Sequence, residues 1–204
     1  MIASINFFVL ILSTLGMHVL YLMSVRPAAL ERRIGEKAYS LCGRYRLICS
    51  VLMGVITVNY VLYHWYPLPW DPFSSTFGWP YWVSVLIAVL IAIPSGSLML
   101  RATLDAGEEA LKPDKNHKMY QGIYKRIRHP MAAGELPLWW VIAFLVHSPF
   151  LVVYSIIYIP IFVWWCFAEE KDLLLRYGES YREYQEHTGM FFPRRGLSNQ
   201  EDIS

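Results

Sequence analysis

The residues best suited to chemistry fall in two short clusters. The stretch YKRIRHPMAAGE, residues 124–135, sets Arg128 and His129 directly before Pro130 and puts Glu135 at the mouth of an apolar run. Glu169 and Glu170 stand side by side at the end of a later apolar run. Proline disfavours helical geometry in the residue before it, so His129 is expected in a turn at a helix entrance, capping or bridging. A carboxylate at a helix start is favoured by the helix dipole, which alone accounts for Glu135. Its chemical use would be to accept a proton from a nucleophile or to hold a cationic amine. Adjacent helix positions do not share a face, so one of Glu169 and Glu170 should turn inward. Ionisable groups at a membrane site mark function, and the expected partner of Arg128 is Glu169. Lys125 and Arg126 read as anchors to lipid phosphates.

Other chemistries lack support. His117, His129 and His187 have no metal-ligand spacing, so no metal site is expected. Cys42, Cys49 and Cys166 form no C-x-x-C pair and read as ordinary buried thiols. Neither a glycine-rich phosphate loop nor a G-x-S-x-G elbow occurs. A net charge of +2 gives no argument for a nucleic-acid partner.

The elements that must position these clusters are membrane helices. The 204 residues are 55% hydrophobic and only 17% charged, against about a quarter charged in soluble domains. A spanning helix needs roughly 20 apolar residues. Residues 3–25, 47–66 and 79–100 qualify, the second starting a little before 47. Residues 134–167 are apolar throughout but broken by His147-Ser148-Pro149, a turn between two arms. Residues 3–25 lack a preceding basic region and a clear cleavage site, so they read as a retained helix. No lysine or arginine occurs in 1–25, 47–100 or 134–167. All lie in 26–46, 101–128 and 171–195, which the positive-inside rule assigns to the cytoplasm. The expectation is an all-α, multi-pass integral membrane protein with five membrane helices. The last two form a hairpin whose first arm is short. The N-terminus is outside and the C-terminal helical segment is cytoplasmic.

Pro94 and Pro160 fall inside predicted spans and are expected to bend them. Tyr66, Trp70, Trp79 and Trp82 suit an interfacial belt. After the hairpin, a helix runs through Tyr177, Gly178 caps it, a second helix covers 179–187, and MFFP is extended. Tyr177, Tyr181 and Tyr184 share one helical face, which packs the tail onto the membrane region. A hairpin brings its ends together, so residues 124–135 and 167–184 must be neighbours.

NHKMYQGIYKRIRHPM, followed by a hairpin and EEKDLLLRYGESYREYQEHTGMFFP, resembles the isoprenylcysteine carboxyl methyltransferase and phospholipid methyltransferase superfamily. The resemblance covers about residues 95–195. It implies S-adenosylmethionine-dependent methyl transfer to a hydrophobic or lipid-like acceptor at the cytoplasmic face of the bilayer. Carried over by motif, the cofactor contacts are His117, Lys118, Met119, Tyr120, Tyr124, His129, Pro130, Met131 and Glu169. Arg128, Glu135 and Glu170 make up the expected catalytic group. The division that follows is a three-helix region 1–100, a cofactor-binding region 101–195 and a disordered tail 196–204. Three departures bear on the substrate. Ala132 stands where the family has tyrosine, and the interval from His117 to Tyr124 is one residue short. Trp165 stands where the isoprenylcysteine enzymes have an arginine for the substrate carboxylate. An amine, thiol or hydroxyl acceptor is therefore as good an expectation as a carboxylate. The competing readings are a nicotinamide-dependent reductase of the sterol-reductase type and a non-catalytic protein that keeps the fold.

Overall fold

A computed structural model describes residues 1–69, 75–114 and 121–194. Its helices are α1 (Ile2–Ser24), α2 (Pro27–Ile34), α3 (Lys37–Trp65), α4 (Tyr81–Ala106), α5 (Pro130–Glu135), α6 (Leu138–Leu145), α7 (Pro149–Tyr154), α8 (Tyr158–Tyr177) and α9 (Glu179–His187). Among the described residues no strand forms, and Ile127 and Gly189 make an isolated parallel bridge. Four segments are long and apolar enough to cross a membrane: Ile2–Ser24, Lys37–Trp65, Tyr81–Ala110 and Pro149–Tyr177. The first arm of the hairpin, Pro130–Leu145, is apolar but shorter. Expected Trp70 and the tail 196–204 lie outside the described residues.

α1 packs along α3, and α4 packs on α5 and α6. α8 closes the bundle against α1 and α2. The core between them is aromatic: Tyr60, Tyr63, Trp139, Tyr158, Phe162 and Trp165 are buried with Leu10, Met17 and Ile56. The opposite faces carry exposed Phe8, Leu12, Leu15, Val51, Leu90, Ile93 and Phe167. That much apolar surface is stable only against lipid. Hydroxyls bind the helices inside. The Thr14 hydroxyl lies 3.1 Å from the Tyr154 hydroxyl and 3.2 Å from that of Tyr158, and the Tyr60 hydroxyl lies 3.1 Å from that of Ser155. Asn6 donates to the Asn59 carbonyl at 3.0 Å. Such bonds hold helices together where lipid supplies no hydrophobic drive.

The hairpin turns where expected, and His147 takes φ 58° there. Its tip reaches the start of α4: Tyr81 donates to the Leu145 carbonyl at 3.0 Å, and His147 Nδ1 lies 2.7 Å from the Ser84 hydroxyl. The short arm therefore extends to the far end of the bundle. Pro160 falls in the first turn of α8 rather than mid-helix, right after a 3-10 turn at Ser155–Ile157. The proline cannot bond the carbonyl four residues back, and the tightened turn absorbs that loss. α3 begins at Lys37, well before the expected start, and the basic stretch before it holds the short helix α2. Asp172 of α8 accepts from the Ala28 and Ala29 amides at 3.0 and 2.8 Å. It thereby satisfies donors at the α2 N-terminus and fastens that helix to the hairpin's second arm.

Candidate active site

The site forms where the basic end of the hairpin meets the tail. α8 runs past the bundle to Gly178, whose φ of 61° ends it and starts α9. After α9 the chain turns back beside residues 127–129. The Arg128 amide donates to the Gly189 carbonyl at 2.9 Å and the His129 amide to that of Met190 at 3.0 Å. This return pairing, absent from the sequence reading, fixes both residues at the entrance of α5. Tyr184 adds a bond from its hydroxyl to the Tyr124 carbonyl at 2.6 Å, and Tyr181 is buried beside it, so these two pack the tail down, while Tyr177 belongs to α8 across the Gly178 break and does not share their helix.

The charged residues interlock, with one exchange of partners. Arg128 Nε pairs with Glu170 Oε1 at 2.7 Å, not with Glu169 as the sequence suggested. Arg128 Nη1 also donates to the Gln185 carbonyl at 3.1 Å and to the Thr188 carbonyl. Gln185 Nε2 donates to the other Glu170 oxygen at 2.8 Å. His129 sits between the two glutamates, Nε2 3.0 Å from Glu170 Oε1 and Nδ1 3.4 Å from Glu169 Oε2. Both neighbouring carboxylates are used because the buried ring reaches one with each nitrogen. Burial opposes charge on His129, but contacts with Cys166, Glu169 and Glu170 outweigh it and hold its pKa well above the ordinary histidine range. The site thus favours the charged ring, with Nε2 within hydrogen-bond distance of Glu170 and Nδ1 ion-paired with Glu169.

A cleft opens in front of this network. It is lined by Tyr124, Arg128, His129, Met131, Ala132, Glu135 and Glu169, all from or facing the motif region. Tyr21, Arg46, Ala106, Glu109, Ala110, Phe162, Trp165 and Cys166 complete it. Glu170 and Pro130 do not line it. Glu170 lies behind His129, and Pro130 is buried at the start of α5. His117, Lys118, Met119 and Tyr120 lie outside the described residues. Glu135 corrects a second expectation. It ends α5 rather than starting a helix, so the dipole does not explain it. It makes no hydrogen bond or ion pair among the described residues. Cys166 is buried as expected, but it also faces the cleft. Burial, with Glu169 nearby, raises the Tyr124 phenol above its ordinary range, so it remains a donor.

Trp165 closes one side. Its indole N–H donates to His18 Nδ1 at 2.9 Å, and its ring lies 4.3 Å from that of Tyr21 and 4.6 Å from that of Phe162. With its polar atom spent on His18, it offers the cleft an apolar surface. The arrangement thus combines an unpaired carboxylate, a second carboxylate engaged through one oxygen, and aromatic and sulfur-bearing walls. That combination can hold a cationic group beside a planar or apolar one. Of the residues that sequence reasoning missed, Tyr21 and Arg46 come from α1 and α3, far away in the chain, and Glu109 from the turn that follows α4. No local motif signals them.

Residues 86–180 match the family model described as phospholipid methyltransferase. A methanethiol S-methyltransferase of Pseudomonas deceptionensis is 34% identical over 131 residues, 62% of this chain and 48% of that protein. A methanethiol S-methyltransferase of Pseudomonas sp. (strain GM41(2012)) is 32% identical over 118 residues, 57% of this chain and 44% of that protein. The chain spans about half the length of these curated relatives where it matches them. No solved structure matches it. The matched segment carries α5 to α8 and with them His129, Glu135, Glu169 and Glu170; over that segment, just under half of its length, the chain is similar to the phospholipid methyltransferase family.

Proposed function

We propose that the protein transfers a methyl group from S-adenosylmethionine to a small hydrophobic nucleophile, with a thiol as the leading class, at the cytoplasmic face of the membrane. The observation that carries this reading is the unpaired Glu135 carboxylate in a cleft that also holds Glu169 and the apolar face of Trp165. The relatives' name, methanethiol S-methyltransferase, supports a thiol. Trp165 in place of a cation supports an acceptor without a carboxylate.

Bound in the cleft, S-adenosylmethionine supplies an electrophilic methyl group on a positively charged sulfur. Glu169 is suited to the cofactor's ammonium, and Tyr124 and Met131 to its adenosine. Glu135 is placed to take the proton of the acceptor thiol; the methyl group the cofactor would supply would leave its sulfonium as that C–S bond broke, the leaving group being the neutral thioether S-adenosylhomocysteine. His129 and Arg128 hold Glu169 and the start of α5 in place, so the acceptor meets a fixed geometry. Exclusion of water by Trp165, Phe162 and Tyr21 strengthens these interactions, and positioning supplies most of the acceleration in a displacement of this kind.

The reductase reading needs several cations for the phosphates of a dinucleotide. Lys125 and Arg126 are exposed and outside the cleft, and Arg128 is committed to Glu170. The test is thermal unfolding of the purified protein with S-adenosylhomocysteine or NADPH, then transfer of labelled methyl to short alkyl thiols. A ligand at a hundred times its Kd stabilises the folded state by about 2.7 kcal/mol. Stabilisation by S-adenosylhomocysteine and labelled thioether product are expected. Stabilisation by NADPH alone would transfer the protein to the reductase class, and no response to either would leave a non-catalytic fold.

A further inference from the structure

Resting on that reading, we infer that Arg46 of α3 is a cofactor-binding residue that grips the carboxylate of the S-adenosylmethionine amino-acid group. Arg46 lies outside residues 86–180, so the family match does not reach it. It lines the same cleft as Glu135 and Glu169.

Its bonding is what sets it apart. Nη1 donates to the Glu109 carbonyl at 2.5 Å and to the Ala110 carbonyl at 3.2 Å. Nε is buried with no acceptor, and no bond from Nη2 is made among the described residues. A guanidinium whose Nε–Nη2 edge is open presents two parallel donors, the geometry that takes a carboxylate in two bonds. A buried N–H without an acceptor is costly, so an anion arriving there relieves an existing penalty.

The neighbouring charges are already spent. The Glu109 carboxylate faces away from Arg46, with Oε1 3.0 Å from Arg176 Nη1 and Oε2 accepting the Asp114 amide at 2.6 Å. Arg128 is held by Glu170 and by two tail carbonyls, and His129 is held between Glu169 and Glu170. Among the described cleft-lining cations, Arg46 is thus the one without a carboxylate partner. The cleft therefore offers a carboxylate side, Glu169 and Glu135, and an open guanidinium edge. A zwitterionic amino-acid group fits that polarity, its ammonium toward the glutamates and its carboxylate toward Arg46. The early start of α3 at Lys37 explains the reach, since it extends the helix beyond its apolar part and places Arg46 against Glu109 and Ala110.

The test compares two probes on purified protein by calorimetry: S-adenosylhomocysteine and its decarboxylated analogue, which keeps the ammonium and adenosine. The wild type is expected to prefer the first about 10- to 100-fold, the range for a charge-assisted bond pair. Arg46→Gln should erase that preference while retaining affinity for the analogue, and Arg46→Lys should restore part of it. A variant that keeps the full preference overturns the assignment, because the carboxylate is then held elsewhere. Equal wild-type affinity for both probes overturns it too, without any variant having to fold. Equal loss for both probes in Arg46→Gln reduces Arg46 to a strut for the Glu109 and Ala110 carbonyls. Binding of neither probe by the wild type instead defeats the proposed function on which the inference rests.

Discussion

His129 makes the basic end of the molecule pH-sensitive. It is buried, and its charge is secured by Glu169 on one ring nitrogen and Glu170 on the other. Its folded pKa lies above the unfolded value of about 6.5. A group raised in this way contributes stability that is fully present below the unfolded pKa and is lost as pH climbs through the folded one. The thermal midpoint of the detergent-solubilised protein should therefore fall as pH rises above neutrality, and His129→Gln should flatten that slope. An unchanged slope in the variant would show that some other group titrates. The same pair of glutamates illustrates what a single sequence permits. Adjacency on one helix led to the expectation that only one of the two turns inward, whereas the His129 ring takes both, one on each nitrogen. Which one meets Arg128 depends on a tail whose return is fixed by two backbone bonds, from Arg128 to Gly189 and from His129 to Met190. No side-chain pattern encodes those bonds, so the assignment fell one residue off.

At the scale of elements, the contact of α5 with α4 sets where Glu135 stands. A Cβ built on Gly134 would lie 2.6 Å from the Met99 amide nitrogen and 2.9 Å from its Cα. Both are backbone atoms of α4, which cannot swing aside. Gly134→Ala should force α5 off α4 at a cost of about 1–3 kcal/mol, the usual range for overpacking. It should also weaken S-adenosylhomocysteine binding, because His129 and Glu135 bracket that helix. A thermal midpoint and an affinity both equal to wild type would mean that the helices part freely at this point. The small residues of MAAGE were visible in the sequence as a departure from the family pattern at Ala132. Their use as a close-packing face was not, since it depends on which helix lies opposite. The start of α3 was hidden for a related reason. Lys37, Arg44 and Arg46 look like loop charges to a hydropathy reading, yet they extend the helix past its apolar part. Arg46 was thereby placed in a cytoplasmic basic stretch and not with the cleft.

For the whole molecule, charge placement and the architecture agree on one axis. The basic residues gather at the end that holds α2, the cleft and α9. The opposite end holds the hairpin tip, bound to Tyr81 and Ser84, with partly exposed Tyr66, Trp79 and Trp82 around it. Lysine and arginine near span ends are retained on the cytoplasmic side, and aromatic side chains of this kind settle at the membrane-water boundary. The cleft should then open to the cytoplasm, where a soluble cofactor is available, while a hydrophobic acceptor arrives through the bilayer. Reporters fused after Ser204 should be active only in the cytoplasm, and a reporter joined ahead of Met1 only on the outer side. A cysteine placed at Ser75, in the lysine- and arginine-free loop before α4, should react with a membrane-impermeant maleimide added to intact cells. One at Lys125 should react only after the cells are opened. The hairpin's return crossing is tested by comparing Lys125 with the C-terminal reporter, because Lys125 precedes the hairpin and the reporter follows it. If Lys125 and the C-terminus report opposite sides, Pro130–Leu145 and Pro149–Tyr177 together make a single crossing. The glutamates of α8 would then be separated from His129 by the membrane, which the contacts of Glu170 at 3.0 Å and Glu169 at 3.4 Å forbid.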